Sequence, residues 1–269
     1  MEVSSELPLW AEERWAQFET QSNLAQLRFD VCFATTLPVF QGRITFDSEF
    51  VRVQDNGGRQ LRTYFHTIKG ERTATVEQTD DFSYRITVCN KYLPWGCNVE
   101  DLFVQYGFPH CLPQFGKLLL HCAYILQDGK AILFTAPSGT GKTTQANLWQ
   151  QCYVSEIING DRAAIGLENG VLMAYGLPIS GMSPDCRNVT APVAAIVKLS
   201  QAKENRVTRL TALQAVRGIL SGTYLPHEFS QDLPLLFDLA TSFVQRVPVL
   251  HLECLPDASA VHALAPYIL

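Results

Sequence analysis

Residues 118–144 read LLLHCAYILQDGKAILFTAPSGTGKTT, and three patterns follow one another along them. Two apolar runs, LLLHCAYIL (118–126) and AILFTA (131–136), flank Gln127-Asp128-Gly129-Lys130. Asp-Gly tolerates the positive φ that both central positions of a tight, strand-matched turn demand, so the two runs are expected to form an antiparallel hairpin. Directly afterwards, Ala136-Pro137-Ser138-Gly139-Thr140-Gly141-Lys142-Thr143 fits the phosphate-loop pattern G-x-x-x-x-G-K-[ST], with Ala in place of the first Gly. Gly139 and Gly141 let the backbone wrap so that successive N–H groups point inward at an anion. The helix expected from about Gly141 to Cys152, through the helix-compatible run TTQANLWQQ (143–151), offers its positive end to the same anion. Lys142 would reach the β- and γ-phosphates, and the Thr143 hydroxyl would ligate Mg²⁺. The candidate nucleotide-binding residues are therefore Pro137, Ser138, Gly139, Thr140, Gly141, Lys142, Thr143 and Thr144. Ala136 suits its place only if its φ is negative, since a Cβ penalises the left-handed region.

Working outward, a two-residue turn at Asp128-Gly129 pairs positions whose numbers sum to 257, which sets His121 opposite Ala136. There it could bond a phosphate or orient an acid; a slip of one residue would turn it to the other face as a core histidine. Asp161 follows the strand-like YVSEIIN (153–159), nineteen residues after Lys142, an interval that fits one helix and a return strand. A carboxylate at a strand end beside the phosphate-loop strand could hold Mg²⁺ with Thr143, while the plain alternative is a turn with Gly160. Arg162 could neutralise phosphate charge or lie on the surface. The segment YGLPISGMSPDCRN (175–188) has the composition of a loop that closes over a ligand, or of a simple connection. Its candidates are Ser180, Asp185 as a proton acceptor, and Arg187 as a phosphate clamp.

The remaining second half reads as a hairpin (AAIGL and VLMAY around Glu168-Asn169-Gly170) and strands at 192–199 and 206–210. Thr211 to Gln214 is a capping box opening a helix. A helix over 231–246, the strand PVLHLEC (248–254) and a short helix after Pro256 complete it. The first half reads as an amphipathic helix over 9–27 carrying Trp10, Trp15 and Phe18, then six strands between Phe29 and Cys89. The Gly- and Pro-bearing stretch from Asn90 to Lys117 reads as an irregular connection. The expected organisation is a strand-rich region over 1–114 and an α/β phosphate-loop domain over 115–269, whose hairpins imply a mixed sheet. A net charge of −5, a pI near 5.7 and the absence of a basic stripe argue against nucleic acid. Eight scattered cysteines without a C-x-x-C pair give a zinc site no support and suit a reducing, cytoplasmic setting. The first residues lack a signal-peptide pattern, and no apolar run reaches the ~18 residues of a membrane span.

The run from LLLHCAYIL through APSGTGKTT to IINGDRAAI resembles the catalytic core of the HPr kinase/phosphorylase family, whose fold is shared by ATP-type phosphoenolpyruvate carboxykinases. A closer likeness is to HPr kinase-like proteins that modify peptides, through IINGDRAAI, YGLPISGM, QAKENRVTRL and VPVLHLECLPD. The resemblance spans about residues 115–269. It implies an ATP-dependent serine kinase of a protein or peptide, some relatives acting on ribosomally made peptides. It implies that Ser138, Gly139, Gly141, Lys142 and Thr143 bind nucleotide, and that Thr143 with Asp161 holds Mg²⁺. HPr kinases carry two adjacent acids where this chain has Gly160-Asp161, so the general base stays open among Asp161, Asp185 and His121. The expected cofactors are ATP and Mg²⁺, and the expected partner is a hydroxyl-bearing peptide or protein. A kinase of a free small molecule and a non-catalytic nucleotide-binding module are the alternatives. The first half would recognise the acceptor or form a homo-oligomer interface.

Overall fold

The computed structural model describes residues 1–9, 11–20, 25–66, 68–93, 98–181, 183–224 and 233–269. Its chain divides into two compact units, Met1–His110 and Cys111–Leu269. The first is built on a seven-stranded sheet of β1 (Glu2–Ser5), β2 (Arg28–Ala34), β3 (Arg43–Asp47), β4 (Val51–Asn56), β5 (Arg59–Phe65), β6 (Arg72–Asp80) and β7 (Ser83–Cys89). Its order is β1-β2-β7-β6-β5-β4-β3, parallel at β1–β2 and β2–β7 and antiparallel elsewhere. Cross-strand neighbours Val53, Arg62, Val76, Ile86 and Val31 form one buried row, as alternation along each strand requires. The helix expected over 9–27 is cut to one short 3₁₀ segment, Glu13–Phe18, which buries Trp15. Glu19 is already extended and Arg28 belongs to β2, so the apolar residues there serve a sheet and a turn, not a helical stripe. Trp10 and residues 21–24 lie outside the described residues. The stretch read as irregular is instead largely helical, with turns at Val99–Asp101, Leu102–Gly107 (π-type), Phe108–Cys111 and Leu112–Phe115. Gly116, at φ 67°, ends them.

The second unit is mixed α/β. Its strands are β8 (Lys117–Gln127), β9 (Lys130–Thr135), β10 (Glu156–Asn159), β11 (Arg162–Glu168), β12 (Val171–Tyr175), β13 (Thr190–Gln201), β14 (Arg206–Arg209) and β15 (Val249–Cys254). Its longer helices are α1 (Lys142–Cys152), α2 (Ala212–Gly222), α3 (Leu233–Val244) and α4 (Ala258–Leu264). Residues 231 and 232, the start of the helix expected over 231–246, lie outside the described residues. Both hairpins form as read. Asp128 and Gly129 have φ of 49° and 73°, Asn169 and Gly170 of 50° and 80°, the double left-handed turn that matches strand twist.

The long strands β8 and β13 organise the sheet. One edge of β8 carries β9, and its other edge carries β10 and β11 end to end. The pairs β8–β11, β11–β12, β12–β13, β13–β9 and β9–β8 close a ring of five strands. β13 continues into a parallel pair with β15, which β14 borders antiparallel. Two apolar layers flank this sheet. Leu118, Leu120, Tyr124 and Leu133 pack with Val216 and Ile219 of α2 and Leu236 and Phe243 of α3. On the opposite face Ile125, Ile132 and Phe134 pack with Ala146 and Trp149 of α1 and Val261 and Leu264 of α4. Alternation along β8 and β9 dictates the split, because even and odd positions must face different layers. Among the described residues, no helix is long and apolar enough to cross a membrane, and the seven described cysteines are free thiols.

Candidate functional site

The phosphate loop leaves β9 at Thr135 and enters α1 at Lys142, with Gly139 at φ 76° and Gly141 at φ 111°. Ala136 is not among the positive-φ residues, so the Cβ that replaces the usual glycine hydrogen meets no backbone penalty. Pro137, Ser138, Gly139, Thr143 and Thr144 are exposed, while Thr140 and Gly141 are half-buried. Lys142 is buried, and its Nζ donates to the carbonyl oxygens of Ala136 at 3.0 Å and Pro137 at 3.3 Å. Those bonds fold the ammonium back into its own loop. Burial lowers the Lys142 pKa, and the negative charge of Asp161 opposes the shift. An anion in the loop would favour the charged form further.

Asp161 reaches this place by a route the sequence did not indicate. β10 does not lie beside the phosphate-loop strand; it pairs with β8, one strand away. Both β9 and β10 run antiparallel to β8, so they point the same way and end at the same edge of the sheet. His121 on β8 lies between those two ends. The hairpin register holds with Cys122 opposite Thr135, and Thr135 Oγ1 donates to His121 O at 3.1 Å. On the other side, His121 is paired with Arg162. His121 Nε2 lies 3.4 Å from Asp161 Oδ1, and Arg162 Nε donates to Asp161 Oδ2 at 2.9 Å. Together, His121 first, they hold the Asp161 carboxyl below the usual carboxylate range against its partial burial. The Arg162 guanidinium also lies over the Tyr224 ring at 5.7 Å, and its Nη1 is buried without a hydrogen-bond partner among the described residues.

Asn159, fully buried, sets the break between β10 and β11. Its Oδ1 accepts the backbone N–H of both Asp161 and Arg162 at 2.9 Å. Its Nδ2 donates to Leu177 O at 3.0 Å and Ile179 O at 2.9 Å, which ties the 175–188 loop to the same point. The sequence motifs give this asparagine no role. Its one signal is an Asn before Gly-Asp at a strand end, where a side-chain carbonyl caps the turn two residues on. Two glycines permit the close approach. A Cβ on Gly160 would meet Ser183 Oγ, and one on Gly181 (φ 55°) would stand 3.0 Å from Asp161 Oδ2.

The loop residues singled out from the sequence are distributed differently from the expectation. Ser180 is fully buried and its hydroxyl donates to Ser183 O at 2.9 Å, so it braces the loop from within instead of facing a substrate. The Arg187 side chain turns to Glu156 at the start of β10, away from Asp161, and forms an ion pair with it. It is no phosphate clamp in this arrangement. Asp185 is half-buried, with its backbone N–H on Ser183 Oγ at 3.2 Å. Among the described residues no ion pair ties Asp185 to His121, Arg162 or Lys142.

Among the described residues no three His, Cys, Asp or Glu side chains come together as a metal cage. Mg²⁺ suits such a place, since it is commonly held by one or two carboxylates and the phosphates of its ligand. Asp161 and the Thr143 hydroxyl are the groups that could hold it.

No family model matches the chain, and no curated protein matches it. A solved structure, the Hpr(Ser) kinase/phosphatase from Coxiella burnetii, matches over 55% of this chain and 93% of its own. The identity is 12% and the TM-score 0.31, a likeness too slight to carry an argument, and the fold rests on the strand pairing above.

Proposed function

We propose that the chain is an ATP-dependent kinase that transfers the γ-phosphate to a serine-type hydroxyl of a peptide or protein. The observation that carries this reading is the meeting of His121, Asp161 and Arg162 at the sheet edge where the phosphate loop begins. Phosphoryl transfer needs placement and charge stabilisation above all. The loop N–H groups and Lys142 would cradle the phosphates. Thr143 and Asp161 would hold Mg²⁺, which neutralises charge developing on the transferred group. Arg162 would offer its unpartnered Nη1 to the same charge. A depressed pKa suits Asp161 to metal holding more than to proton removal. His121, oriented by Asp161, would then take the hydroxyl proton as general base, in place of the second acid that the HPr kinases carry. The first unit would recognise the acceptor.

The test is incubation with labelled ATP, Mg²⁺ and a serine-containing peptide, a ribosomally made precursor being the first choice. Label should appear on the peptide and disappear with Lys142→Ala. Labelling that persists in that variant would remove the phosphate loop from the reaction.

A further inference from the structure

A cavity of about 330 Å³ lies against the other flank of the phosphate loop, within the size range of small-molecule pockets, about 300–1,000 Å³. Gly139, Thr140 and Gly141 of the loop and Thr144 and Gln145 of the first turn of α1 form one wall. The opposite wall is Gln201-Ala202 at the end of β13 and Cys254-Leu255-Pro256 at the end of β15. These are the AKEN and CLPD segments noted in the sequence, to which the reaction itself gives no task.

The two flanks are set by strand order. β9 lies between β8 and β13, so Asp161, His121 and Arg162 come from the β8 side and the cavity from the β13–β15 side. A triphosphate in the loop has polarity. Its γ end must lie toward Lys142 and the acid, because the Lys of such loops reaches the β- and γ-phosphates. Its α end must then leave past the opposite flank, where Thr144 lines the cavity. The far wall is built to keep its shape. Ala202 N–H donates to Cys254 O at 3.1 Å, Leu255 N–H to Asn205 Oδ1 at 2.9 Å, and Asn205 Nδ2 to Ser259 Oγ at 2.5 Å. Gln145, only 2% exposed, joins the walls by donating from Nε2 to Cys254 Sγ at 3.5 Å, and its Oε1 has no hydrogen-bond partner among the described residues. A buried carboxamide oxygen without a donor costs free energy until one arrives.

Resting on the nucleotide reading above, we infer that this cavity seats the nucleoside of the triphosphate, with the Gln145 carboxamide as its polar contact. The ligand is thereby a nucleoside triphosphate and not an inorganic polyphosphate, which would fill the loop alone. The base and ribose enter between Gln145 and the Ala202–Leu255 wall, and an amino group on the base satisfies Oε1.

The experiment compares ATP with inorganic tripolyphosphate, both with Mg²⁺, by calorimetry on the full chain. The variants are Ala202→Phe, which fills the cavity, and Gln145→Leu, which removes the amide at similar volume. Each should weaken ATP about tenfold or more, as overfilling or unpairing a pocket does, and leave tripolyphosphate unchanged. Equal losses for both ligands, or none for either, would overturn the placement while leaving the phosphate loop as the anion site. Failure of the unaltered protein to bind either ligand would overturn the nucleotide reading itself.

Discussion

Asn159 concentrates four hydrogen bonds on one buried side chain, and of its partners Leu177 O also accepts from the Cys186 thiol at 3.2 Å. Replacing it by Ala removes the partner of two N–H groups and of Ile179 O and leaves Leu177 O only the Cys186 thiol, each unpaired group costing about 1–3 kcal/mol when buried. Some of these will find water, so Asn159→Ala should cost about 2–5 kcal/mol in chemical denaturation. A loss under about 0.5 kcal/mol, typical of surface changes, would show that Asn159 does not brace the site. Asp161 gives a second prediction. Its carboxyl titrates lower in the folded chain than the ~3.9 of an unfolded one, so the unfolded state binds more protons as pH falls. The resulting stability is present above about pH 5 and is lost as pH drops through the depressed folded value. His121→Ala removes the largest cause of that shift, so the acid limb of its melting-temperature profile should be flatter than that of the unaltered chain. Parallel profiles would mean that His121 does not act on Asp161. At this scale the left-handed turns at Gly139 and Gly141 and the helix start at Lys142 were legible, because the spacing of two glycines before a helix-forming run restricts what the backbone can do there. Asn159 was not, because its carbonyl partners lie 18 and 20 residues further on and nothing local announces them.

Turn chemistry made the hairpins β8–β9 and β11–β12 readable, since two adjacent left-handed residues select Asp-Gly and Asn-Gly. The seat of β10 was not readable, because a four-residue strand with only Ile157 and Ile158 apolar pairs equally well with either neighbour until the whole sheet is assembled. The same limit misled the helix over 9–27, where aromatic spacing resembled a helical stripe but Trp15 is buried from a short 3₁₀ turn. The loop over 175–188 shows how two elements come to share one site. Gly160 and Ser183 touch so closely that a Cβ on the former would strike the latter's Oγ and, at 2.6 Å, its Cβ. Gly160→Ala should therefore push the loop off the β10–β11 break, raise amide exchange over 177–187, and lower peptide phosphorylation with ATP binding kept. Adding Ser183→Gly removes both colliding atoms and should recover much of the loss, since contacting residues couple. A double variant no better than Gly160→Ala alone would mean that the contact is not what holds the loop.

Among the described residues both apolar layers of the second unit draw every buried member from Leu118 onward, so those layers form without a described residue from the first. The phosphate loop, its acid, His121 and the cavity all belong to it as well. A core of this kind predicts independence: residues 111–269 expressed alone should unfold in a single cooperative transition, as small domains do. Nucleotide affinity should match that of the full chain, because every group proposed to touch the ligand is retained. Peptide phosphorylation should be lost, because the proposed acceptor surface lies in the first unit. Each result addresses a different premise. A fragment without a cooperative transition would deny that the two layers suffice for folding. A folded fragment that no longer binds ATP would place part of the nucleotide site in residues 1–110. A fragment that still labels the peptide at the full rate would move acceptor recognition to the sheet edge around Asp161 and leave the seven-stranded sheet for another task.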